Sequence, residues 1–189
     1  MGNLKNKITT KSIILCAIFA ALSAVGAFIR VPLPLIPFTL QFPIVALAGI
    51  LLGSRYGMMS QLVYVLIGLA GFPVFTKGGG PSYVFEPTFG YLMGFIFAAY
   101  AIGKYLEKTN KYTIWNILIA CVIGIVVDYV IGVGYMYIIL AFYLNAEVTI
   151  LGACWSGAII FFPKDLILCF VTSLISAKLL PALKKSNLL

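Results

Sequence analysis

The sequence predicts an all-α membrane protein: one bundle of six transmembrane helices, with both termini cytoplasmic and a long outer loop between helices 3 and 4. Three observations carry that expectation. Of the 189 residues, 62% are hydrophobic and 10% charged, and the mean hydropathy is +1.10. A water-soluble domain of this size cannot cover its surface with so few polar side chains. Apolar runs of about 20 residues recur, the length a helix needs to cross about 30 Å of hydrocarbon. The basic residues then orient the bundle. With both termini inside, ten fall on the cytoplasmic side (Lys5, Lys7, Lys11, Arg55, Lys104, Lys108, Lys111, Lys178, Lys184, Lys185) and two outside (Arg30, Lys77). That asymmetry is the positive-inside bias, and an odd number of spans would destroy it. The net charge of +8 thus records topology and does not point to a nucleic-acid partner.

The elements follow in order. The first apolar run, about Ile13 to Ile29, lacks the small-residue cleavage pattern of a signal peptide and reads as a retained span. It must stop before Pro32, Pro34 and Pro37, which forbid a helix. A short second helix, about Gln41 to Leu52, is broken by Gly53-Ser54-Arg55 before a third, Tyr56 to Gly71. Phe72 to Pro87 has no apolar periodicity and reads as the long outer loop. A fourth helix is expected from about Thr88 to Leu106 and a fifth from about Ile114 to Leu144, the latter longer than a bilayer requires. The sixth lies within Leu151 to Leu183. Pro163 suits the first turn of a helix, where its missing N–H is no loss, so a break before it is expected, with a kinked continuous helix as the alternative. One domain, residues 1–189, accounts for the whole length.

Candidate functional residues stand out against this apolar background. Phe161-Phe162-Pro163-Lys164-Asp165 sets two charges inside the last span, where each costs roughly 2.5–3.5 kcal/mol on insertion scales. Asp128 is a third intramembrane charge and shares a helix face with Gly124 and Gly132; a structural hydrogen bond and a ligand contact are both open for it. Thr76-Lys77-Gly78-Gly79-Gly80-Pro81-Ser82-Tyr83 joins three glycines to aromatic neighbours Tyr83, Phe85, Phe89 and Tyr91, and a flexible outer loop and a solute-enclosing one are both open for it. Glycines let backbone N–H groups approach a solute, and the aromatics offer flat faces with polar tips. The proline-stiffened segment Pro34 to Gln41 adds Phe38, Thr39 and Gln41 as a possible lid. Ala17-x-x-x-Ala21 overlaps Ala20-x-x-x-Ala24 in the first helix, spacing that permits close helix packing within the bundle or against a partner.

Histidine is absent, and the four cysteines (Cys16, Cys121, Cys154, Cys169) have no metal-ligand spacing. No catalytic set is visible, so the chain is expected not to be an enzyme and to hold no metal or cofactor. An intramembrane enzyme using Asp128 and Asp165 remains an alternative that requires the two to converge.

Taken together, these strings resemble the BioY family, the biotin-specific substrate-binding S components of energy-coupling factor (ECF) transporters. The resemblance rests on Ile36-Pro37-Phe38-Thr39-Leu40-Gln41, Gly71-Phe72-Pro73-Val74-Phe75, Pro87-Thr88-Phe89-Gly90-Tyr91 and Pro163-Lys164-Asp165, in that order along nearly the whole chain. It implies biotin as transported substrate, a bacterial cell membrane as location, and an energy module of one transmembrane T component with two cytoplasmic ATPases. It also implies Ala17 and Ala21 as the docking surface for the T component. Asp165 is the expected acceptor for the ureido N–H groups. Lys164, Tyr91, Gly79, Gly80, Ser82, Tyr83, Phe75, Phe85, Thr39, Gln41 and Asp128 complete the expected substrate site. Two departures stand out. Many members read Pro-Gly-Asp-x-x-Lys, whereas here Lys164 precedes the aspartate and Leu168 occupies the usual lysine position; Glu86 places an acid in the outer loop. An S component for another small vitamin is the nearest alternative.

Overall fold

The computed structural model describes residues 9–31 and 36–185, without the side chain of Lys184. Lys5, Lys7, Pro32 and Pro34, which figure in the topology and lid expectations, lie outside the described residues. Among the described residues, five helical stretches are long and apolar enough to cross a membrane: Thr10–Phe28, Gln41–Leu69, Phe89–Thr109, Ile114–Tyr143 and Ile150–Leu183. Large apolar side chains such as Trp115, Val130, Leu151 and Ile167 are exposed on the outside of the bundle, the surface that lipid tails accept.

Helix α1 (Thr10–Phe28) starts earlier than the apolar run suggests, because Thr9 caps it: its side-chain oxygen accepts from Ser12 N–H at 3.2 Å. Beyond α1, strand β1 (Arg30–Val31) pairs antiparallel with β2 (Phe38–Thr39), Arg30 opposite Thr39. This small hairpin delivers Thr39 and Gln41 to the start of α2 (Gln41–Leu69).

Helix α2 is broken where expected. Gly53 has φ 77 and ψ −178, a conformation essentially confined to glycine. The chain reverses there. A methyl group on Gly57 would come within 2.9 Å of Gly49 Cα, although residues eight apart in one straight helix stand about 12 Å apart. Residues 41–52 and 54–69 therefore fold back on each other. Glu107 clamps the turn, accepting from Ser54 N–H at 2.7 Å and from Ser54 Oγ at 2.8 and 2.9 Å. A carboxylate there suits the positive N-terminal end of the second half.

The segment from 72 to 88 contains a short 3₁₀ turn, Pro81–Phe85, and then enters α3 (Phe89–Thr109), which ends at a left-handed Asn110. Helix α4 (Ile114–Ile138) widens into a π turn, Ile139–Tyr143, and so is not one uniform helix to Leu144. The last stretch comprises α5 (Ile150–Cys154), a π turn (Trp155–Ile159) and α6 (Phe162–Lys185). Pro163 sits in the first turn of α6, as the break-before-proline reading expects. The wider π turn upstream loosens the backbone where a proline ring would clash in a continuous helix.

The core lies between α2, α3 and α4, and includes the fully buried Tyr64, Phe75, Ile102 and Ile117. Ser23 on α1 donates to Gln61 on α2 at 3.0 Å, a buried polar tie. Helices α2, α3 and α6 begin at the same end of the bundle, and the C-terminal half of α4 reaches it from the opposite direction. That end carries the site.

Candidate functional site

A cleft opens at this end. Its walls come from the start of α2 (Gln41, Phe42), the start of α3 (Tyr91, Leu92, Phe95), α4 (Asp128, Tyr129) and the first turn of α6 (Lys164, Asp165). The loops add Ile36, Pro37, Thr39, Thr76, Tyr83 and Thr88. Most of the lining is apolar or aromatic with a few convergent polar groups, the composition typical of small-molecule sites.

Asp165 stands at the centre of the polar wall. It is only 5% exposed, and its Oδ2 accepts a 2.6 Å hydrogen bond from the Tyr129 hydroxyl. Lys164 Nζ forms an ion pair with Oδ1 at 2.8 Å, at an angle outside hydrogen-bond geometry. The ammonium sits 5.0 Å from the Phe38 ring centre and 5.7 Å from that of Phe161, where the ring faces favour a cation. Phe38 and Phe161 meet edge to face at 4.7 Å, which ties the β-hairpin to the last span.

Three hydroxyls form a second polar group. Tyr83 OH lies 3.0 Å from Thr76 Oγ1 and 3.5 Å from Thr88 Oγ1. Gln41 Nε2 donates to Tyr64 OH at 2.9 Å, and Tyr64 donates onward to the Val74 carbonyl at 3.0 Å. Tyr91 donates to the Gly157 carbonyl at 2.7 Å, which fixes its ring across the cleft wall. Asp128, 3% exposed, lines the same cleft.

Of the residues expected from sequence, Asp165, Lys164, Tyr91, Tyr83, Thr39, Gln41 and Asp128 all line the cleft. Five others stand apart from its lining. Phe75 is buried behind the wall, packed against Tyr64 and Tyr83. Gly78 and Gly80 direct their N–H groups to the carbonyls of Phe75 and Gly68, while Gly79 fits tightly against the Phe72 carbonyl. The glycine loop thus folds onto its own chain. Ser82 and Phe85 face a separate outer hollow, where Phe85 stacks on Tyr143 with ring centres 4.8 Å apart. Glu86 pairs with Lys77 at 2.7 Å, so the added acid of this loop carries its own counter-charge.

Sequence reasoning missed Tyr129, Thr76, Thr88 and Phe161 as lining residues. Tyr129 was signalled only by following Asp128 directly, and the two threonines by bracketing the glycine loop. The overlapping alanine patterns differ in burial: Ala17 and Ala21 are exposed, whereas Ala20 is buried and Ala24 half-buried. Among the described residues no group of His, Cys, Asp and Glu has the clustering of a metal site. Asp128 and Asp165 do converge on one cleft, the condition that the enzyme alternative requires.

Comparison with known proteins decides between these classes. Residues 3–185 match the family model of the BioY family. The chain is 46% identical over 178 residues to a probable biotin transporter BioY of Lysinibacillus sphaericus, covering 94% of this chain and 88% of that protein. It is 39% identical over 170 residues to the biotin transporter BioY of Thermotoga maritima, covering 89% and 95%. The fold matches a crystal structure of the S component for biotin from an ECF-type ABC transporter with TM-score 0.79 and 26% identity, over 92% of this chain and 94% of that one.

Proposed function

This chain belongs to the BioY family, and on that footing we propose that it is the membrane-embedded biotin-binding subunit of an ECF-type biotin uptake system. It is a transporter component and not an enzyme. The observation that carries the substrate reading is the cleft itself: a buried carboxylate, Asp165, oriented by Tyr129 among aromatic walls. Biotin presents a rigid bicyclic body with urea N–H donors, and a buried carboxylate is a strong acceptor for them. The apolar walls, Phe42, Tyr91, Leu92 and Phe95, suit the bicycle and the aliphatic chain.

The valerate carboxylate is assigned to the Thr76, Tyr83 and Thr88 hydroxyls. Lys77 is engaged with Glu86, and Gly78 and Gly80 direct their N–H groups to the backbone. Three hydroxyls joined by two hydrogen bonds retain one proton for an incoming anion.

In the membrane, the two halves of α2 each cross, giving six passes with both termini in the cytoplasm and the cleft facing outward. This agrees with the reversal at Gly53 and with the position of Lys104, Lys108 and Lys111 at the end of the bundle opposite the cleft. The exposed Ala17 and Ala21 stripe docks the transmembrane T component, which with two ATPases supplies the energy. Titration of the purified protein with biotin and desthiobiotin tests the assignment. Saturable binding of both is expected; binding of neither, with capture of a different vitamin, rejects biotin as the substrate.

A further inference from the structure

Among the described residues, three buried side-chain oxygens have no hydrogen-bond partner: Asp128 Oδ1, Asp165 Oδ1 and Ser176 Oγ. Two of the three belong to carboxylates lining one cleft; Asp165 Oδ1 has the Lys164 ammonium 2.8 Å away, whereas Asp128 Oδ1 has no paired counter-charge among the described residues. A buried carboxylate oxygen without a donor is costly, because desolvation is not offset by a hydrogen bond. Two tyrosines that line the cleft with Asp128 are engaged elsewhere. Its neighbour Tyr129 donates to Asp165 instead, and Tyr91 donates to Gly157. Space for Asp128 is nevertheless kept open. Gly94 on α3 faces it, and a methyl group there would collide with Asp128 Oδ1 and come within 3.0 Å of its carbonyl oxygen. The fold therefore accommodates a second carboxylate at the cleft wall and leaves it without a protein donor.

We propose that Asp128 is a specificity-determining residue, the second acceptor of the site, so that the two N–H groups of a cyclic urea are read separately by Asp165 and Asp128. A ligand with two diverging N–H donors then completes two acceptors at once. A lactam or a cyclic carbamate of the same shape offers only one donor and leaves one buried carboxylate unpartnered, a loss that polar sites convert into strong discrimination. The inference rests on the biotin reading and sharpens it from one acceptor to a matched pair.

The test is a cycle between protein and ligand. Biotin and its two ureido-N-methyl isomers, each lacking one donor, are titrated against the parent chain, Asp128→Asn and Asp165→Asn, with thermal melting as the check on folding. Both isomers are expected to bind the parent about tenfold or more weakly than biotin. The penalty for one isomer shrinks at least about fivefold in Asp128→Asn, and that for the other shrinks likewise in Asp165→Asn. If neither isomer's penalty changes in Asp128→Asn, or biotin binds that variant within about twofold of the parent, the inference is overturned. Should Asp128→Asn fail to fold, the parent alone decides: full affinity for either methyl isomer overturns the pairing. A parent chain that does not bind biotin at all instead rejects the underlying functional reading, so the two failures are distinct.

Discussion

Tyr129 on α4 donates a 2.6 Å hydrogen bond to Asp165 Oδ2 on the first turn of α6. The contact joins two helices at the wall of the cleft and fixes the orientation of the carboxylate. Oδ1 is turned to the Lys164 ammonium, 2.8 Å away. Orientation by a neighbouring hydroxyl matters because a swivelling carboxylate loses rotamer entropy at each binding event.

Tyr129→Phe removes this constraint while keeping the ring. A hydrogen bond to a charged group contributes about 1.5–3 kcal/mol, so biotin affinity is expected to fall about tenfold or more. Isothermal titration of detergent-solubilised protein measures it, and unchanged affinity would reject the orienting role.

Thr76→Val and Thr88→Val test the site proposed for the valerate carboxylate. Each removes a hydroxyl adjoining Tyr83. Biotin binding is expected to weaken while biotinamide, which lacks the anionic carboxylate, is less affected. Equal losses for both ligands would detach the hydroxyl cluster from carboxylate recognition.

The alanine patterns of α1 make opposite predictions on two faces. Ala17→Trp and Ala21→Trp project outward, so biotin binding should persist while co-purification with the T component is lost. Ala20 is 4% exposed, and overpacking a core by a large side chain costs about 1–3 kcal/mol or more. Ala20→Trp should therefore lower the melting temperature whether or not the partner is present.

Gly53→Ala should destabilise the protein outright. The backbone there has φ 77, and holding a non-glycine residue in such a conformation costs of order 1–3 kcal/mol. The new methyl would also lie 2.7 Å from Glu107 Oε1. A melting temperature equal to the parent's would show that the turn tolerates a side chain.

Lys77 and Glu86 supply the contrasting case. Their side chains are 46% and 36% exposed, and exposed ion pairs contribute about 0–1 kcal/mol. Glu86→Gln should leave both stability and biotin affinity within about twofold. A large gain in affinity would mean that Glu86 repels the ligand despite its partner.

Some of this molecule is written in local chemistry. The break at Gly53 followed from a glycine between two apolar runs, and the helix start at Pro163 from the ring's tolerance of a first turn. Asp165 and Lys164 announced themselves because a charge in hydrocarbon is costly wherever the helices pack. Other parts depend on distant partners. The glycine loop suggested a ligand cradle, yet Gly80 directs its N–H to Gly68, a bond that only the folded return of the chain supplies. Phe75 and Phe85 flank the same loop and part ways, one behind the cleft wall and one on the outer surface.

What the sequence determined by itself was the membrane class, the family and the identity of the costly charges, since hydropathy, proline and ionisation act residue by residue. Tertiary structure alone decided which of those groups face one another. Tyr129 reaches Asp165 across 36 residues, and Gly94 makes room for Asp128 from a different helix. Such pairings arise from helix packing, in which a side chain's partner lies far away in the chain, and no local pattern encodes them.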